Sequence, residues 1–306
     1  MKILNFGSIN IDFVYSVNRI VQEGETIASN NLEIFNGGKG FNQSISIARS
    51  GIEVYHFGKV GEDGKYLIDC LSESNVNTDF IIVDKNKRTG NAIIQRDRLG
   101  NNCIILYSGT NKSFTNNEID NVLSKFNKND ILLLTNEVNK VEYIIKESTK
   151  KGMIIIFNPA PFKKKILNYN LKNVDYLVIN EIEGQGLANI KNQRNDSDRL
   201  IKILADKYPK TKIILTLGKN GSIYYYNNQM IKKEIYNVNV VDTTGAGDTY
   251  IGYFISGLIQ SKSVNEILDI STAASALCVT KKGAEPSIPT IETVNNFLRK
   301  MEERNE

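Results

Sequence analysis

The sequence predicts an α/β protein built on a mostly parallel sheet flanked by helices. Three observations carry this. Short β-type runs alternate with helical patterns along most of the 306 residues, which is the signature of βαβ units. Gly51 and Gly152 stand where helix C-caps fall. Two segments break the rhythm and read as hairpins instead.

Taken in order, the first strand is expected over Lys2 to Phe6, followed by the irregular segment Phe13 to Asn36. A helix over Phe41 to Ser50 ends at Gly51, and a strand follows from Val54 to Gly58. The second irregular segment, Thr89 to Ser108, holds the β-type runs Asn91–Gln95 and Ile104–Tyr107 around the turn Arg98-Leu99-Gly100-Asn101-Asn102. Together the two segments read as an antiparallel insertion of the kind that forms a lid. Ile131 to Leu134, Val141 to Lys150 and Met153 to Phe157 give strand, helix and strand. Further strands are expected at Tyr176–Ile179 and Lys212–Thr216, with helices at Asp198–Tyr208, Gly247–Ile259 and Val264–Val279. No repeat, proline-rich linker or low-complexity tail interrupts the chain, so residues 1–306 are expected to form one domain with lid insertions at about 13–36 and 89–108.

Composition removes several function classes. The chain is 41% hydrophobic and 24% charged, enough to bury a sizeable core. Its net charge of +4 comes from 38 basic and 34 acidic side chains that are mostly scattered, too even a balance to point to nucleic acid. Cys70, Cys103 and Cys278 are widely spaced and form no CxxC pair, so a reducing, cytoplasmic setting is expected. The N-terminal stretch Met1 to Ser8 has an apolar run too short for a signal segment, and no later stretch reaches the roughly 18 apolar residues of a membrane span. Gly58 to Lys65 approaches a phosphate-loop pattern but has one residue too many, with Tyr66 where Ser or Thr belongs. Gly245-Ala246-Gly247 lacks the third glycine of a dinucleotide fingerprint, because Tyr250 stands there. The only histidine, His56, falls inside an expected strand and reads as structural.

Two segments carry chemistry. Asp242-Thr243-Thr244-Gly245-Ala246-Gly247-Asp248 follows the β-type run Val238–Val241 and opens an apolar helix. Free amides at such a start cradle negative charge, and small residues let phosphate oxygens approach the backbone. Asp248, in the first turn, is placed to take a proton from an attacking hydroxyl, as phosphoryl transfer requires. The plain alternative is a tight turn that Asp248 caps. The second segment is Asn36-Gly37-Gly38-Lys39-Gly40-Phe41-Asn42-Gln43, which follows Gly7-Ser8-Ile9-Asn10-Ile11-Asp12. Asn10, Asp12, Lys39 and Asn42 supply donors and acceptors suited to a polyol. A glycine loop with solvated polar side chains explains the same residues equally well.

In this order, near the two ends of an α/β chain, these segments resemble the ribokinase family of sugar kinases, the phosphofructokinase-B type. Asn158-Pro159-Ala160-Pro161, Asn180-Glu181-Ile182-Glu183, Thr216-Leu217-Gly218 and Val279 to Ser287 extend the resemblance end to end. It implies a ribokinase-like three-layer αβα sandwich with a mostly parallel central sheet and a small antiparallel β lid. It implies transfer from ATP to the 5-hydroxyl of D-ribose, with deoxyribose, fructose or a nucleoside as the rival acceptors. Asp248 would be the base, and the amides of Gly245, Ala246 and Gly247 the anion hole. Asn10, Asp12, Gly38, Lys39, Asn42 and Glu137 would hold the sugar, with Ala92, Ile94 and Leu106 as the apolar wall of the lid. Asn180 and Glu183 would order magnesium and phosphates through water, and Thr216, Gly218 and Thr272 would line the nucleotide site. Asp242, Thr244, Cys278, Lys281, Gly283 and Ser287 would hold potassium, which would order the anion-hole loop. Asn91 departs from the family's apolar lid position and is expected on the same wall, Phe41 replaces a small residue, and Thr272 stands where histidine or asparagine is common. A dimer through the lid is expected, because paired strand edges need protection. From other classes, a non-catalytic sugar-binding protein of this fold has no use for a base at an anion hole, and NADH binding would be the mark of an oxidoreductase.

Overall fold

The computed structural model describes residues 1–190 and 196–303. The chain begins with β1 (Ile3–Phe6), β2 (Asn10–Ser16), β3 (Asn31–Gly37) and α1 (Lys39–Arg49). There follow β4 (Tyr55–Phe57), β5 (Lys59–Gly61), α2 (Tyr66–Glu73), β6 (Ile82–Asp84), β7 (Gly90–Arg96), β8 (Asn102–Tyr107) and α3 (Asn116–Leu123). The middle is β9 (Ile131–Thr135), α4 (Val141–Lys151), β10 (Ile154–Asn158), β11 (Tyr176–Asn180), α5 (Glu181–Ala188) and α6 (Ser197–Lys207). The last part is β12 (Lys212–Thr216), β13 (Ser222–Tyr226), β14 (Gln229–Lys233), α7 (Ala246–Ile259), α8 (Val264–Cys278) and α9 (Ile291–Glu302).

Eight strands form the main sheet in the order β14-β13-β12-β11-β10-β9-β1-β4, parallel from β4 through β12, with β13 and β14 added as an antiparallel hairpin. Runs such as Ile131-Leu132-Leu133-Leu134 are apolar throughout because both faces are covered. Alternate side chains divide accordingly. Leu132 and Leu134 join the core under α3 to α6, while Ile131 and Leu133 join the core under α1, α2, α7 and α8. The result is the expected three layers.

A second sheet, β3-β2-β7-β8, is the lid. Its two hairpins are antiparallel, and a parallel β2–β7 pair joins them. Register sets the faces, since side chains alternate along a strand. Asp12, Phe35, Ala92 and Leu106 lie side by side on one face; Ile11, Asn36, Asn91 and Tyr107 lie on the other. Asn91 is therefore not on the wall expected of it, and its Nδ2 donates to the Thr89 carbonyl at 3.4 Å. The β-type run Val238–Val241 is also not a strand. Val240 and Val241 are exposed, and this stretch passes along the rim of a cavity rather than pairing beyond β14. His56 is fully buried, bonded to Ser44 Oγ at 2.8 Å, and burial drives its pKa down to about 3, so it is a neutral core residue. No described helix is long and apolar enough to cross a membrane.

Candidate active site

Parallel strands deliver their C-terminal ends to one edge of a sheet, and the loops there build the site. Gly7-Ser8 leaves β1, Asn136-Glu137 leaves β9, Asn180 ends β11 and Thr216 ends β12. The starts of α1 and α7 face this edge from the same layer.

Asp248 sits in the first turn of α7 and is buried. It does not cap its own helix, whose N-cap is Gly245 with no side-chain cap. Its carboxylate instead accepts bonds from Asn42 Nδ2 at 3.3 Å and Gln43 Nε2 at 2.9 Å, both from the first turn of α1. Burial pushes its pKa up, while the Lys39 ammonium and the two amide donors pull it back. A carboxylate tuned upward takes a proton more readily. Lys39 stands in the field of Asp248, Glu137 and Glu183, and the Asp248 carboxylate above all holds its pKa above the usual range against the opposing effect of burial.

Just before Asp248 the chain turns through Gly245, whose φ of 83° is left-handed and favours glycine. The amides of Gly245 and Gly247 have no hydrogen-bond acceptor among the described residues, while that of Ala246 makes a long 3.3 Å bond to the Thr243 carbonyl. Two of the three expected anion-hole donors are thus unengaged and the third is weakly engaged.

Most of the residues expected to hold the sugar are bonded to one another or to partners that the sequence did not reveal. Asn10 accepts a 2.8 Å bond from Asn111 Nδ2, and Asn111 also clasps the Ile9 backbone at 3.0 and 3.1 Å. Glu137 accepts bonds from Ser8 Oγ and from the Lys39 backbone N–H, the latter at 3.1 Å, so it also caps α1. Gly38, with a φ of 94°, is the N-cap between them. Asp12 lies over Gly37, where a Cβ would collide with its carboxylate. That carboxylate accepts no hydrogen bond from the described residues, and burial, with Glu137 adding, raises its pKa to about 7. Ala92 is buried beside it, Ile94 is half-buried, and Leu106 is exposed at the lid edge. Asn42 is engaged with Asp248, and its Oδ1 is buried without a partner. Gln43, Ser8 and Asn111 bond to candidate site residues and were given no role by sequence reasoning.

On the other side of Gly247 lies a cavity of about 590 Å³, lined by residues that include Asn180, Thr216, Gly218, Val240, Gly247 and Thr272. Its lining is mainly apolar, as a nucleobase needs. Thr216 Oγ1 donates to the Ile179 carbonyl at 3.2 Å. Thr272 Oγ1 is buried with no partner. Asn180 and Glu183 form a reciprocal capping box at the start of α5, with bonds of 2.9 to 3.1 Å. Burial raises Glu183 as well. Beside this, Asp242 accepts bonds from Thr244 N at 3.0 Å, Thr244 Oγ1 at 2.7 Å and Gly283 N at 3.0 Å. Burial alone would raise Asp242, but these bonds outweigh it and hold the carboxyl low. Cys278 Sγ lies 3.0 Å from Ser287 Oγ and 3.8 Å from the Thr244 carbonyl, and the Lys281 amide bonds to the Cys278 carbonyl at 3.3 Å.

Comparison with known proteins places this geometry. The family model described as pfkB family carbohydrate kinase matches residues 1–291. The ribokinase of Staphylococcus aureus is 34% identical over 302 residues, covering 96% of this chain and 98% of that protein. The deoxyribokinase of Salmonella typhi is 31% identical over 304 residues, covering 97% and 99%. Among solved structures, the ribokinase of Arabidopsis thaliana complexed with ribose and ATP superposes with a TM-score of 0.85 at 28% identity, covering 97% of this chain and 98% of that one. The ribokinase of Cryptococcus neoformans in complex with ADP gives 0.84 at 30% identity, covering 96% and 99%. With a family model matched over residues 1–291 and relatives matched along nearly its whole length, the chain belongs to the pfkB family of carbohydrate kinases.

Proposed function

We propose that this protein is a single kinase unit that transfers the terminal phosphoryl group of ATP to the 5-hydroxyl of D-ribose. The observation that carries the reading is Asp248, buried and turned away from its own helix cap toward α1, one residue from amides that lack acceptors. Asp12, Asn10 and Glu137 hold the sugar hydroxyls; Asp248 takes the proton of the 5-hydroxyl as its oxygen bonds to phosphorus and ADP leaves. The Gly245 and Gly247 amides and the Lys39 ammonium balance charge on the migrating group. The nucleotide lies in the cavity against Thr216, Gly218 and Thr272.

Asn180 and Glu183 suit a magnesium ion held through water, because each carboxylate oxygen keeps a free lone pair beyond its one bond in the capping box. When bound, that ion would neutralise phosphate charge. The cluster in which Asp242 bonds to Thr244 and Gly283, and Cys278 bonds to Ser287 and the Thr244 carbonyl, suits a potassium ion, which the Lys281 carbonyl would also hold; the ion would stiffen the turn that carries the amides. Three unpaired cysteines suit a reducing, cytoplasmic setting. The lid supports a homodimer: the row Ile34, Ile93 and Ile105 is exposed on the face away from Asp12, and β8 is an open edge.

The test is ADP release over a panel of pentoses, hexoses and nucleosides, repeated with potassium replaced by a bulky organic cation. Ribose is expected to give the highest kcat/KM, exceeding deoxyribose by roughly tenfold or more, because a missing hydroxyl leaves a buried carboxylate oxygen unpaired. Asp248→Asn is expected to fold, bind both substrates and lose at least about a hundredfold in turnover. A folded Asp248→Asn variant that turns over normally refutes the mechanism. A better acceptor than ribose refutes the substrate alone, and equal rates in both salts remove the potassium site.

A further inference from the structure

The lid touches the far end of the chain through one carboxylate. Glu33 on β3 accepts bonds from Lys282 Nζ at 2.6 and 2.8 Å, across 249 residues of sequence. Arg96 on β7 approaches the same carboxylate at 3.5 Å and orients it from within the lid. Register puts Glu33 beside Val14 and Phe35 beside Asp12, so both side chains share the face that carries the sugar carboxylate. Phe35 packs over Gly283, where a Cβ would stand 3.2 Å from its ring. The Gly283 amide in turn donates to Asp242, whose other oxygen holds Thr244, the residue before Gly245.

A continuous chain of contacts therefore links the sugar face of the lid to the turn that presents the phosphoryl-binding amides. We propose that Glu33 is a positioning residue: by latching the closed lid to Lys282 and seating Phe35 on Gly283, it ties sugar engagement at Asp12 to the shape of the anion-hole turn. The inference rests on the sugar reading above. The latch forms only once the lid is down on the sugar, so it does not itself close the lid but carries that closure on to the turn. All three charged side chains are partly exposed, which makes the latch weak enough to open in every turnover.

The test follows backbone hydrogen exchange with and without D-ribose, in the absence of nucleotide. In the wild type, ribose is expected to slow exchange both in the lid, residues 90–107, and in the amide-bearing turn, residues 242–247, together with the segment 281–287 that packs on it. In Glu33→Gln and in Lys282→Met the lid is expected to keep its protection while the turn loses most of its own. The KM for ATP should rise roughly two- to fivefold with a smaller change in kcat, the size of one partly exposed ion pair, and the double variant should be no worse than either single one. Lid protection without turn protection in the wild type overturns the latch and leaves the sugar reading intact. Unchanged turn protection in both variants does the same. Absence of protection in both segments of the wild type overturns the sugar reading and the latch together.

Discussion

On the proposed reading, Asp12 is the side chain whose protonation a bound sugar must change. Burial beside Glu137 lifts its carboxyl to about 7, whereas the unfolded residue ionises near 3.8. Between those values the folded chain keeps a proton that the unfolded chain has lost, so stability falls as pH rises from about 3.8 to about 7. Asp12→Asn removes that slope, and its melting temperature is expected to gain on the wild type across this window and run level above it. Hydroxyls that donate to the carboxylate act in the opposite sense. Ribose affinity is expected to rise with pH up to about 7 and then level off, with proton release on binding. Calorimetry in two buffers of different ionisation enthalpy measures that release; none near neutrality, or the same release from Asp12→Asn, rejects this role for Asp12.

The start of α1 shows what one element must satisfy. Its first turn carries Asn42 and Gln43 to Asp248 and lies directly against the end of β1, where a Cβ on Gly40 would meet the Gly7 and Ser8 backbone. Gly40→Ala is expected to cost roughly 1–3 kcal/mol or more, since neither backbone has room to retreat; thermal unfolding measures it, and an unchanged melting temperature would mean that the contact relaxes. Elements of this kind were legible where chemistry is local. The apolar runs of β9, β10 and β12 announce buried parallel strands, and the Asp242–Asp248 segment announces a helix start. By contrast α5, with sequence EIEGQGLA, has two glycines and a weak apolar stripe, and only its capping box marks it. Val238–Val241 has strand composition but no strand to pair with. Gln43 was missed because its partner lies 205 residues away, and Asn111 because its partner Asn10 lies 101 away. Asn91 was misplaced because a family position carries no face; register decides it.

At the scale of the molecule, the lid's outer face carries an exposed apolar row. Ile105, 62% exposed, stands in a row with Ile93 and Ile34. Light scattering is expected to find a dimer for the wild type and a monomer for Ile105→Glu, while a monomeric wild type rejects the lid-to-lid pairing. The candidate site, meanwhile, is divided between parts that come from different elements. On the proposed reading, Gly247 borders the nucleotide cavity and Asp248 faces the sugar, so the donor and acceptor halves meet across a single peptide unit, about 3.8 Å between Cα atoms. Drift in substrate preference is therefore channelled. A descendant of this chain can trade one sugar for another by recutting the lid and the first turn of α1, but the spacing between phosphoryl cradle and proton acceptor is written into the covalent chain and passes unchanged to every such descendant.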